Sequence, residues 1–297
     1  SNGRQLWQVE AGKWVSGGVG AGGKYVFVGT QKGELSAFDT EGKPLWKTQL
    51  GAEILAPVKI EGGVAVVRTA DGRLVGLAAE DGKRKWNYQR VTPPLALRSA
   101  ASPTVTRGAV FAGFPGGVVS ALDLDSGRVG WESVIAAPRG ATELERVADV
   151  SSAPVVDGSQ VCAVAYQGRV ACVDGASGRT VWSREISSSA GVAVDDKYVY
   201  VSQESGAVAA LDKKTGSSVW EQDKLTNRQL GAPIVRGKVV LVGDGFGFIH
   251  ALSKEDGSFV GRLATDGSAL SAPPQLSDGL VLFQTRNGGL YAVSVEG

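Results

Sequence analysis

Methionine is absent from this chain, histidine occurs once and cysteine twice in 297 residues. A lone histidine rules out metal sites built from several imidazoles. His250 sits among apolar neighbours in Phe246-Gly247-Phe248-Ile249-His250-Ala251-Leu252, so it reads as structural. No apolar run approaches the roughly 20 residues a helix needs to cross a bilayer. Residues Ser1 to Gln5 carry neither the charged nor the apolar region of an export signal. Any such signal or anchor is expected outside this chain, and a start without methionine reads as a processed or recombinant end. Charge of one sign is lacking too: 31 basic residues are spread among 30 acidic ones, for a net charge of +1. A nucleic-acid face, which shows as clustered Lys and Arg, is therefore not expected.

The cysteines, Cys162 and Cys172, flank the turn-like Tyr166-Gln167-Gly168-Arg169. A two-residue loop at Gln167-Gly168 would set Cys172 opposite Ala163 and send the two thiols to opposite faces of a hairpin. Two small buried hydrophobes are then favoured over a disulfide, and cysteine does not fix the compartment.

What the chain has in abundance is a repeat. Gly-x-x-x-Trp occurs six times, at Gly3/Trp7, Gly42/Trp46, Gly82/Trp86, Gly127/Trp131, Gly178/Trp182 and Gly216/Trp220, and accounts for every tryptophan but Trp14. Apolar alternation with period two precedes most copies: residues 24–30 and 34–39 alternate around the turn Gln31-Lys32-Gly33, which describes a β-hairpin. A further strand then carries the Trp, and a short strand opened by Pro, as in Ala56-Pro57-Val58 and Ala153-Pro154-Val155, leads into later units. Units of roughly 40 residues that cannot bury their own apolar faces must stack on one another. The fold class expected is all-β: one β-propeller domain over 1–297, with four-stranded antiparallel blades. Hairpins near 24–39, 64–78, 108–123, 160–174, 197–212, 238–253 and 279–294 give seven units, and the N-terminal strand around Trp7 is expected to complete the last blade. The sixth unit departs from the pattern, with Gly261 where Trp is due.

Asp39, Asp123, Asp174 and Asp212 stand three or four residues before the turn glycine, where a carboxylate commonly caps backbone N–H groups, so turn stabilisation is expected rather than catalysis. Gly243-Asp244-Gly245-Phe246-Gly247 falls at a hairpin turn with no helix following, so it is not a phosphate cradle. Function is better sought where the period fails. The Trp-to-Trp spacing is 39, 40, 45, 51 and 38 residues, so extra length follows Trp86 and Trp131. These inserted loops, 88–100 and 135–151, occupy the same link between consecutive units and are expected side by side on one face. One carries Leu95, Leu97 and Arg98; the other carries Glu143, Glu145, Arg146 and Asp149. Either the leucines tuck onto the sheet while Arg98 pairs with Asp149 or Glu145, or apolar anchors beside an Arg form a partner-binding patch. Both can hold together.

The unit Ala-x-Asp-x-x-x-Gly-x-x-x-Trp, at Ala121/Asp123/Gly127/Trp131 and Ala210/Asp212/Gly216/Trp220, resembles the repeat of pyrroloquinoline quinone (PQQ) enzymes. Quinoprotein dehydrogenases share the Trp motif but use adjacent cysteines against their cofactor, whereas these two are ten apart. A PQQ-dependent dehydrogenase-like propeller is the alternative reading. The segments Leu95-Ala96-Leu97-Arg98 and 140–149, each followed by a Ser-Ala or Ala-Ser and Pro stretch, are similar to the BamB family of outer-membrane assembly lipoproteins over essentially the whole chain. That resemblance implies a non-enzymatic scaffold without metal or cofactor, lipid-anchored on the periplasmic face of the outer membrane. It also implies binding to the POTRA domains of BamA, with nascent outer-membrane proteins as further ligands. The family's partner-binding positions fall on Leu95, Leu97, Arg98 and Asp149, while a second acidic position is Ser151 here. Members resemble eight-bladed propellers against the seven units counted, which is expected of a segment lacking the anchor and most of a first blade.

Overall fold

The structure is a computed structural model that describes residues 4–11, 14–270 and 272–295; Gly3 of the first motif lies outside them. It is all-β, and seven antiparallel sheets with the pattern of propeller blades follow one another along the chain. The chain divides into two compact units, one of residues 1–134 with 139–154 and one of residues 135–138 with 155–297.

The first unit holds three four-stranded meanders. They are β1 (Val15–Gly22), β2 (Tyr25–Thr30), β3 (Glu34–Asp39) and β4 (Pro44–Gln49); β5 (Lys59–Glu61), β6 (Val64–Arg68), β7 (Arg73–Ala78) and β8 (Arg84–Gln89); and β9 (Thr104–Thr106), β10 (Ala109–Phe114), β11 (Val118–Asp123) and β12 (Val129–Val134). The second unit holds β13 (Val155–Asp157), β14 (Gln160–Val164), β15 (Val170–Asp174) and β16 (Thr180–Arg184); β17 (Val192–Val194), β18 (Tyr198–Ser202), β19 (Val208–Asp212) and β20 (Ser218–Gln222); and β21 (Ile234–Arg236), β22 (Val239–Gly243), β23 (Phe248–Ser253) and β24 (Phe259–Ala264). Its last sheet is β25 (Gln275–Ser277), β26 (Leu280–Gln284) and β27 (Leu290–Ser294). All seven expected hairpins are present.

The central strands of the second sheet are apolar on both faces because this sheet lies between the first and the third. In β6 every residue is buried: Val64 and Val66 join Leu74, Trp86, Val110 and Phe114 on one side, while Ala65 and Val67 join Phe27, Leu35 and Ile54 on the other. Full burial of a Val, Leu or Phe side chain stabilises by about 1.5–3 kcal/mol, so this two-sided packing supplies much of the cohesion that one 40-residue meander lacks.

The Gly-x-x-x-Trp motif turns out to join one sheet to the next. The Trp220 indole donates to the Lys254 carbonyl at 2.8 Å, and its ring lies where a Cβ on Gly257 would come within 2.5 Å. Gly257 also has φ +71°, so glycine is required there twice over. The same seat recurs for Trp46 at Ala79 and Gly82, Trp86 at Leu124 and Gly127, and Trp182 at Lys213 and Gly216. Gly82, Gly127 and Gly216 thus each receive the tryptophan of the motif before their own, and Gly257 receives that of the last motif. The turn aspartates act as expected: Asp39 accepts from the Glu41 and Lys43 N–H groups, and Asp174 from Ser177.

Three details differ from the sequence reading. Residues 4–11 form no strand, and among the described residues the β25–β27 sheet has three strands, so the completing strand expected around Trp7 is not formed. Trp7 instead donates to the Thr40 carbonyl and covers Gly42, using the same ring seat without a backbone ladder. Conversely β1, a glycine-rich strand with an irregular register between Val15 and Val19, has no apolar alternation to announce it. The cysteines differ as well. Ala165 N–H bonds the Arg169 carbonyl, so the loop is three residues long rather than two, Cys162 faces Cys172 directly, and the two are joined by a disulfide.

Candidate protein-docking site

The two inserted loops meet in the first unit, and hydrogen bonds tie them together at two points. Asp149 Oδ2 accepts the Leu97 N–H at 2.6 Å, and the Ser99 hydroxyl donates to the Ser151 carbonyl at 2.9 Å. The second loop is itself anchored by its apolar end. Val147, Ala148 and Val150 are buried, Val150 N–H bonds the Phe114 carbonyl, and the Val150 side chain lies against Gly113, where a Cβ would come within 2.3 Å. The other Asp149 oxygen accepts the Gly116 N–H at 3.0 Å, in the turn between β10 and β11.

Asp149 is 2% exposed, so the structure gives this residue a different place from the surface contact implied by resemblance. Among the described residues two backbone N–H groups meet its carboxylate, and no cation pairs with it. It is a pin that sets the position of the first loop against the β10–β11 turn.

Arg98 pairs with neither Asp149 nor Glu145, the partners expected from sequence. Its Nη2 bridges both carboxylate oxygens of Glu53 at 2.7 Å, in the link between β4 and β5. Glu145 instead closes its own loop, accepting the Ala141 and Thr142 N–H groups, which hold its carboxyl below the usual range. The Arg98 side chain remains 70% exposed. An exposed pair of this kind contributes no more than about 1 kcal/mol.

Leu95 is exposed and Leu97 half-buried, as a partly tucked pair. Sequence reasoning passed over two further exposed apolar side chains, Val91 on the first loop and Leu144 on the second. Their only signal was position inside an insertion without periodicity. The site therefore combines exposed aliphatic groups and a guanidinium on loops pinned from beneath.

A family model described as outer membrane protein assembly factor BamB matches residues 1–222 and 206–297. A protein of that name from Nitrosomonas eutropha is 51% identical over 296 residues, which is 99% of this chain and 72% of that protein. The crystal structure of BamB from Moraxella catarrhalis superposes with a TM-score of 0.91 at 30% identity, covering 96% of this chain and 87% of that one. A quinohemoprotein alcohol dehydrogenase from Comamonas testosteroni gives a TM-score of 0.61 at 13% identity, over 91% of this chain and 70% of its own, a likeness of fold alone. By sequence and by structure, this chain belongs to the BamB family of outer membrane protein assembly factors.

Proposed function

We propose that this chain is a non-enzymatic scaffold of outer-membrane protein assembly that docks the periplasmic POTRA domains of BamA through Leu95, Leu97 and Arg98. Asp149 acts from below, by holding the loop that presents them. The observation that carries this reading is the pinning itself: two separate insertions are fixed to each other while an aliphatic side chain and a guanidinium are left exposed. A surface ordered before binding loses less conformational freedom on docking. Arg98 gives up only an exposed pair with Glu53 when it turns to a partner carboxylate. The Cys162–Cys172 disulfide suits an oxidising compartment, in keeping with a lipid-anchored protein at the periplasmic face of the outer membrane.

Titration of purified BamA POTRA domains by calorimetry tests the proposal. Arg98→Glu and Leu95→Ser should each weaken binding at least tenfold, and the Arg98 variant should also alter its salt dependence. A Lys214→Ala control on the second unit should leave it unchanged. Affinities within twofold of the parent for both loop variants would reject this site.

A further inference from the structure

A cavity of about 500 Å³ opens on the sixth sheet, lined by Lys224, Leu225, Arg228, His250, Phe259, Val260, Gly261 and Arg262. The repeat shows why it is unusual. In the third sheet, Ser120 pairs in register with Glu132, the residue after Trp131. Glu132 there accepts from Arg90 and the Tyr88 hydroxyl at 2.6 Å and from Ser120 at 3.1 Å. In the sixth sheet the corresponding register pair is His250 and Arg262, after Gly261. Lys224, four residues after Trp220, stands where Arg90 stands four after Trp86. A carboxylate clasped by a cation in one repeat is thus replaced by a second cation in the other.

The charges of the cavity do not cancel. Arg228 is paired with Asp244 at 2.5 Å, and Asp244 is fully buried, also accepting from His250 and the Phe246 and Phe248 N–H groups. Burial alone would raise the Asp244 carboxyl, but the bonds from His250, Phe248, Arg228 and Phe246 outweigh it and hold it below its usual range. Among the described residues neither Arg262 nor Lys224 meets a carboxylate. Arg228 and Arg262 both lie over the Phe248 ring, with guanidinium carbons at 5.3 and 5.0 Å from its centroid, so stacking holds them in place. The remainder of the lining is apolar: Leu225 is buried, while Phe259 and Val260 are exposed. His250 adds a second observation. Burial pushes its imidazole below the usual range, and Nε2 is engaged by the Asp244 carboxylate. Its Nδ1 is buried and has no hydrogen-bond partner among the described residues, and such a group is ordinarily met by an ordered water or a ligand.

We propose that this cavity binds a small organic anion, a carboxylate carried on an apolar or aromatic body. Arg262, Lys224 and the outward side of Arg228 take the carboxylate, and Leu225, Phe259 and Val260 take the body. The chemistry is shared by a free aryl acid and by the terminal carboxylate of a peptide ending in an aromatic residue. The site lies within residues 224–262 and is independent of the loop residues proposed above to dock a partner.

The sole histidine makes the test direct, since selective ¹⁵N-histidine labelling gives one imidazole signal from the cavity wall. Phenylacetate, phenylacetamide, acetate, inorganic phosphate, and N-acetylphenylalanine as its free acid or amide would each be titrated while that signal is followed. Saturable shifts with the two aryl acids, at least tenfold tighter than with the amides, acetate or phosphate, are expected. A tenfold preference between the two acids assigns the site to peptide termini or to free acids. Arg262→Glu restores the charge pattern of the third sheet and should abolish the shifts while the imidazole signal stays dispersed. Should Arg262→Glu itself unfold, Lys224→Gln with an expected fivefold loss serves instead. Equal binding of acetate and phosphate, no binding of either aryl acid, or full binding by the folded variants would overturn the proposal.

Discussion

The Asp149 carboxylate accepts the Leu97 N–H across 52 residues of chain, and with the Ser99–Ser151 bond it makes one surface of two insertions. Because the carboxylate is buried and also accepts from Gly116, its removal leaves two N–H groups unmatched. Hydrogen bonds to a charged group contribute about 1.5–3 kcal/mol each. Asp149→Ala should lower unfolding stability by about 3–6 kcal/mol and speed tryptic cleavage after Arg98. Denaturant titration and timed proteolysis check this; unaltered cleavage would mean the first loop is held by other contacts.

Gly257→Ala should be costly for a reason that lies in another repeat. The added methyl meets the Trp220 ring at about van der Waals overlap and the backbone is left-handed, so a loss of about 2–4 kcal/mol is expected. In a Trp220→Ala background the steric part disappears, and the same substitution should cost about 1 kcal/mol. Chemical denaturation of the four proteins measures the difference, and equal costs in both backgrounds would refute the seat.

The disulfide between Cys162 and Cys172 closes a short loop within one hairpin. Closure of this kind stabilises by about 2–3 kcal/mol. Reductant should therefore lower the urea midpoint of the parent protein but leave a Cys162→Ala/Cys172→Ala variant unmoved.

Acid should weaken the sixth sheet in two stages. His250, with Asp244, Arg228 and Arg262 around it, binds its proton less readily folded than unfolded, so stability declines as pH falls below about 6.5. Asp244 is likewise depressed, so its contribution is present above the ordinary carboxylate range and is lost as pH falls through its folded value. Stability measured from pH 8 to 5 should fall in the parent and more shallowly in His250→Gln. A parallel decline in both would show that other groups carry the acid sensitivity.

The hairpins were legible in sequence because buried strands such as β6 and β19 leave an unmistakable apolar signal between turn glycines. The insertions were legible as interruptions of Trp spacing. Their wiring was not: Arg98 reaches Glu53, 45 residues back, and nothing in local pattern distinguishes that carboxylate from Asp149 or Glu145. Asp149 appeared as a surface charge because polarity alone does not reveal burial against backbone N–H groups. The register of Cys162 and Cys172 turned on one residue of loop length, and in a period-two structure one residue exchanges the faces. β1 escaped because glycine carries no hydropathy to alternate.

The tryptophan seats put the repeat of the sequence out of phase with the repeat of the contacts. Within each unit, a segment with such a seat carries a socket fitted to the copy before it and a plug fitted to the copy after it. A duplication of one segment would therefore arrive already mated at both sides, with no new complementarity to evolve. That offers a physical route by which such scaffolds gain or lose whole sheets while keeping their joints. It also marks Gly261, where the plug is missing, as the place where this succession of interchangeable parts has been individualised.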